Sequence, residues 1–257
     1  MCLRDVINAR TRAANSGSDA SNSAQLAIAL KIIRKDRMTK PRKPAAVIFD
    51  LDGTLVDTVE TRIEAWLGTF EEQGIAADRE QVAKLIGSDG RRVARVVAEA
   101  AGVTIDAERA EAIDRRSGDV YSELNTNPRP LPGVGELLRT LDERGLPWAI
   151  ATSSRREQVG VSIEALKLAR RPTIVDGSQV ENAKPAPDLL LAAAKKLGVE
   201  ASRCWYVGDS IWDMQAASAA GMQAIGVASG SATVGDLEDA GAQLVVDDLA
   251  DLVPVVR

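Results

Sequence analysis

Residues 45–54 read Ala45-Ala46-Val47-Ile48-Phe49-Asp50-Leu51-Asp52-Gly53-Thr54. Five apolar residues in unbroken succession end at two carboxylates and a glycine. An alternating pattern would mark a strand with one wet face, whereas a continuous run marks one covered on both faces, the usual state of a central strand in a parallel sheet. Pro44 closes the run on its other side. The stretch therefore predicts a buried strand that opens abruptly into a polar loop.

Similar runs recur at Trp148 to Thr152, Thr173 to Val175, Cys204 to Val207 and Ala224 to Val227, separated by helix-length segments such as Pro187 to Leu197. Strand and helix in alternation predict an α/β fold, a parallel sheet with helices on both faces. Between Asp57 and Gly133 the rhythm changes to four helical stretches, Thr61 to Glu72, Arg79 to Ile86, Arg91 to Ala100 and Ala107 to Leu124. These predict an inserted α-helical cap domain, with Pro128, Pro130, Pro132 and Gly133 as a stiff exit back to the core. The expected organisation is a leader at 1–43, a catalytic core at 44–56 and 134–257, and a cap at 57–133. The leader is polar, then basic from Lys31 to Lys43. It reads as a loose tail, as sequence ahead of a translation start at Met38, or as a targeting leader; Asp5, Asp19 and Asp36 weigh against the last.

Ligand sites in open parallel sheets lie beyond the carboxyl ends of the strands. There the chain carries Asp50-Leu51-Asp52-Gly53-Thr54, then Thr152-Ser153-Ser154, then Lys184-Pro185, then Gly208-Asp209-Ser210-Ile211-Trp212-Asp213. Each has a plainer reading alone: a polar turn, a helix cap, an exposed lysine before a proline-started helix, acidic residues at a helix N-terminus. Their ordered recurrence at four ends outweighs those readings. Together they suit phosphoryl transfer. Asp50 and Asp209 offer oxygens to a hard cation such as Mg2+. With charge repulsion screened, Asp50 can attack phosphorus and divide one hard displacement into two. Thr152 and Lys184 suit the transferring oxygens. Asp52 is placed to protonate the leaving oxygen, a role that calls for a raised pKa of the kind crowded carboxylates produce.

Composition narrows the field further. The chain has 257 residues, 45% hydrophobic, enough for a sizeable core. A formal net charge of -5 speaks against a nucleic-acid surface, and no apolar run has the length of a membrane span. The expected setting is cytoplasmic, as monomer or homodimer. Cys2 and Cys204 are too few for a disulfide scaffold or cysteine metal site. The absence of histidine removes Ser-His and Cys-His mechanisms and leaves carboxylates, hydroxyls, lysines and arginines to do the chemistry.

The four motifs resemble those of the haloacid dehalogenase-like superfamily, in the branch of phosphoglycolate phosphatase and beta-phosphoglucomutase, from about Ala45 to Val253. The resemblance implies a Rossmann-like core, Mg2+, and hydrolysis of a small phosphorylated metabolite of sugar phosphate or phosphoglycolate type through an aspartyl phosphate. It implies Asp50 as nucleophile, Asp52 as acid and base with its carbonyl on the metal, Thr152 and Lys184 on phosphate, Asp209 as metal ligand and Asp213 as metal support. Ser153 is a further candidate for phosphate through its backbone amide. In this branch a cap loop faces the substrate, which makes Arg91 and Arg92 candidates for a substrate anion. A hexose phosphate mutase or a silent binding protein would use the same fold; intact Asp50, Asp52, Lys184 and Asp209 argue against silence. Loss of the Asp50 carboxylate is expected to abolish turnover, and Lys184→Ala to weaken phosphate stabilisation while leaving the fold intact.

Overall fold

The computed structural model describes residues 41–257. The reading of a leader over 1–43 thus lies outside the described residues except for its last three. Six parallel strands form the sheet: β1 (Ala46–Phe49), β4 (Trp148–Ala151), β5 (Thr173–Val175), β6 (Cys204–Gly208), β7 (Gln223–Val227) and β8 (Leu244–Val246), in the order β5-β4-β1-β6-β7-β8. All five predicted strands are present within a residue or so; β8 adds a sixth. The order reverses at β1, so the crevice beyond its carboxyl end lies between strands wound in opposite directions, where α/β sheets bind ligands.

Side chains alternate across a strand, and this explains the unbroken apolar runs. Val47, Phe49, Trp148, Ile150, Trp205 and Val207 enter one core, with α5 (Val134–Glu143) and α10 (Val253–Val256). Ala46, Ile48, Ala149, Ala151, Cys204 and Tyr206 enter the other, with α7 (Asp188–Leu197), α8 (Ile211–Ala219) and α9 (Val234–Asp239). Two faces are covered, so neither set of alternating residues can be polar. Helix α6 (Arg156–Ala165) contributes Val159 to the first core. Cys204 is a free, buried thiol.

The helical insertion leaves and rejoins the core through a ribbon that the sequence did not reveal. Strands β2 (Val56–Asp57) and β3 (Arg129–Pro130) pair antiparallel, Val56 with Pro130 and Asp57 with Arg129. Between them lie α1 (Val59–Glu72), α2 (Arg79–Leu85), α3 (Gly90–Ala100) and α4 (Ala107–Leu124), close to the bounds read from periodicity. Asp78 and Asp106 cap α2 and α4 by accepting from the backbone N–H of Gln81 and Arg109. The insertion has its own core of Trp66, Phe70, Val82, Val93, Val97 and Ile113. Trp212 at the start of α8 joins that core rather than a sheet face, and donates from its indole N–H to the Lys84 carbonyl at 3.0 Å. Among the described residues no helix is long and apolar enough to cross a membrane.

Candidate active site

Asp50 follows β1, and its N–H donates to the Val207 carbonyl at 2.9 Å, which draws the ends of β1 and β6 together. That pairing sets Asp50 beside Asp209. Carboxylate oxygens of Asp50, Asp209 and Asp213 all lie within 4.8 Å of one another, and each side chain is buried. Lys184 reaches in from the loop before α7. Its Nζ donates to Asp213 Oδ1 at 2.8 Å and forms an ion pair with Asp50 Oδ1, also at 2.8 Å. One ammonium thus bridges two buried carboxylates.

Each carboxylate has a different degree of freedom. Asp213 is bound on both oxygens: Oδ1 faces Lys184 and the Tyr206 hydroxyl, and Oδ2 accepts from the N–H and Oγ of Ser210 at 3.0 and 2.6 Å, which also caps α8. Asp209 accepts from Thr54 Oγ1 at 2.6 Å. Gly53 and Gly230 both press on Asp209 Oδ2, and a Cβ at either would overlap it; Gly53 moreover has φ +80°. Gly230 thus forms a wall of the carboxylate cluster.

Three carboxylates meet one lysine, an imbalance felt by Asp50 and Asp209. Burial raises Asp50 to about 7; Lys184 opposes this, while the charges of Asp213 and Asp52 add to it. Burial, with the charges of Asp213 and Asp50, likewise pushes Asp209 well up. A cation bound by the carboxylates of Asp50 and Asp209 would supply the missing charge. The residues therefore fit a hard divalent metal.

Asp52 departs from expectation. Burial would raise its pKa, but the Arg62 guanidinium and hydrogen bonds from Ser154, Thr58 and Arg62 hold it below the usual carboxylate range. Arg62 Nη2 donates to Oδ2 at 3.0 Å, Ser154 Oγ to Oδ2 at 2.6 Å, Thr58 Oγ1 to Oδ1 at 2.7 Å and the Tyr121 hydroxyl to Oδ1 at 2.9 Å. Asn125 Nδ2 donates to the Tyr121 oxygen at 2.9 Å. Burial is outweighed here by an arginine and by hydroxyl donors. Arg62 and Tyr121, which the sequence reading missed, come from α1 and α4.

Thr152 is buried and its hydroxyl accepts from the Ser154 N–H at 3.1 Å; Ser153 Oγ donates to the Gly87 carbonyl at 3.1 Å, so that serine also ties core to insertion. Arg155 does the same through Asp114 at 2.6 Å and Glu111 at 2.8 Å. Arg91 and Arg92 lie elsewhere. Arg91 pairs with Asp89 at 2.6 Å and donates to the Glu181 carbonyl, and Arg92 covers the Trp212 ring. Both line a separate outer groove, while the cavity over Asp50 is bordered by Arg62.

Residues 47–227 match the family model described as haloacid dehalogenase-like hydrolase. The chain belongs to that family. Beta-phosphoglucomutase of Bacillus subtilis is 33% identical to this haloacid dehalogenase-like hydrolase over 80% of the chain and 91% of its own length. Phosphoglycolate phosphatase of Pseudomonas putida is 32% identical over 82% of the chain and 79% of its length. Protein SUPPRESSOR OF QUENCHING 1, chloroplastic, of Arabidopsis thaliana is 32% identical over 82% of the chain, which spans only 20% of that longer protein. The crystal structure of a hydrolase from Pseudomonas syringae superposes with a TM-score of 0.77 at 38% identity, covering 81% of this hydrolase and 96% of the other chain.

Proposed function

We propose that this hydrolase is a Mg2+-dependent phosphatase that cleaves small phosphorylated metabolites, of sugar phosphate or phosphoglycolate type, through an aspartyl phosphate on Asp50. The observation that carries the reading is the buried cluster of Asp50, Asp209 and Asp213, with Asp50 Oδ1 2.8 Å from Lys184 Nζ. Similarity to a named phosphoglycolate phosphatase supports the substrate class.

In this mechanism Asp50 attacks phosphorus while Lys184 and Thr152, with the Ser153 N–H, hold the transferring oxygens. Asp209 and the Asp52 carbonyl would hold the metal together with Asp50, and Asp213 fixes Lys184 and Ser210. When bound, Mg2+ keeps Asp50 ionised and screens the phosphoryl oxygens from it. Asp52 protonates the leaving oxygen in the first half-reaction and takes a proton from water in the second. Its ionised state beside Arg62 suits the second step; the first requires Arg62 to give up that contact and Asp52 to take a proton from solvent, which it then passes to the leaving oxygen.

The proposed compartment is the cytoplasm, in keeping with the free thiol of Cys204. A mutase reading rests on similarity to beta-phosphoglucomutase. Phosphate release from a panel of phosphomonoesters tests between them: transfer to sugar without release of phosphate favours the mutase.

A further inference from the structure

The cavity over Asp50 is small, about 50 Å3, room for a handful of waters at about 10–15 Å3 each. Asp50, Thr152 and Lys184 border its reacting end. Leu85, Ile86 and Val93 of the insertion give it an apolar side. Arg62 and Trp66, one helical turn apart on α1, border it as well. Two cations line the cavity, Lys184 and Arg62. Lys184 is committed to two carboxylates at the reacting end. Asp114, the acid on the insertion side, is bound to Arg155.

Arg62 has one anionic partner, Asp52, at 3.0 Å; its other partners, Ser154, Gln158 and the Tyr121 ring 3.3 Å from Cζ, are neutral. Those hydrogen bonds use three of the five guanidinium N–H groups. The reading above puts the leaving oxygen against Asp52, so substrate atoms one or two bonds beyond that oxygen fall within reach of Arg62. An arginine drawn from Asp52 toward a neutral group would lose its buried counter-ion, a costly change. Drawn toward a carboxylate, it exchanges one ion pair for another in the two-pronged geometry that guanidinium groups favour.

We infer that Arg62 determines specificity by binding a second anionic group, so that the preferred substrates are small phosphomonoesters whose leaving alcohol carries a carboxylate or similar anion near the ester oxygen. The inference rests on the phosphatase reading for the position of the leaving group. Its test does not need turnover. Binding of 2-phosphoglycolate and of the equally small, neutral-tailed 2-hydroxyethyl phosphate is measured by calorimetry, in Mg2+, on Asp50→Asn and on the same protein carrying Arg62→Gln or Arg62→Lys. Asp50→Asn should bind the carboxylate ester roughly 10- to 100-fold more tightly, the worth of one charge-assisted hydrogen-bonded pair. Arg62→Gln should bring the ratio near one, and Arg62→Lys should restore part of it. A purely structural Arg62 would weaken both ligands alike and leave the ratio unchanged. Equal affinities in Asp50→Asn, no binding of 2-phosphoglycolate, or a ratio that survives Arg62→Gln overturns the inference. Failure of the phosphatase reading would instead appear as absence of phosphate release by the wild type.

Discussion

Lys184 Nζ stands 2.8 Å from Asp213 Oδ1, and both side chains are completely buried. The same ammonium faces Asp50, so one cation holds two carboxylates in the interior. The sequence reading gave Lys184 a phosphate-binding role and expected its loss to leave the fold intact. Its burial makes it structural as well. Removing one partner of a buried pair costs about 3–5 kcal/mol. Lys184→Ala should therefore lower the midpoint of chemical denaturation as well as activity. An unchanged midpoint in urea, with an unchanged m-value, would refute this.

Stability should also depend on pH in a way that metal reverses. Asp50 titrates at about 7 in the fold against an ordinary 3.8, so the folded chain binds the proton more tightly than the unfolded one. Metal-free protein should then lose stability as pH rises from about 4 to 7. The elevated Asp209 acts in the same direction. Asp52, held low, contributes oppositely, and its contribution is lost only as pH falls below the ordinary carboxylate range. Mg2+ requires ionised ligands, so its stabilising effect should grow with pH. At a hundredfold excess over Kd it is about 2.7 kcal/mol, roughly 5–10 °C in Tm for a domain of this size. Thermal melts at pH 5.5 and 8, with Mg2+ and with EDTA, read this directly; an equal shift at both would contradict it.

Gly230→Ala provides a third prediction. The added Cβ would meet Asp209 Oδ2 and displace that carboxylate from the cluster. Disturbance of a supporting contact of this kind typically costs 10- to 100-fold in metal affinity. The Mg2+ concentration for half-maximal activity should rise by about that factor, and saturating Mg2+ should restore much of the rate. A variant with unaltered Mg2+ dependence would show that the glycine has no such role.

The sheet was legible because burial on both faces leaves a trace that needs no partner: β1, β4 and β6 are apolar at every position before their polar ends. The helices of the insertion were legible from periodicity, since each buries one stripe. The β2–β3 ribbon was not, for two-residue strands carry too little pattern to register, and β8 lies at the sheet edge with two of its three residues only half-buried. At the site, residues beyond strand ends were read directly, because topology alone brings Asp50, Thr152 and Asp209 to one edge. Arg62 and Tyr121 sit on helices among many charged and polar residues, and only the approach of the insertion brings them to Asp52. The same approach set the charge of Asp52 against expectation and turned Arg91 and Arg92 toward another groove.

The most direct test of the account is phosphate release from a panel of phosphorylated metabolites by wild type and Asp50→Asn, each in Mg2+ and in EDTA. The account predicts release by the wild type in Mg2+, its loss in EDTA, and a fall of at least about 10³-fold in Asp50→Asn with the fold retained. Release that persists undiminished in Asp50→Asn, or no release from any ester by metal-loaded wild type, would contradict it.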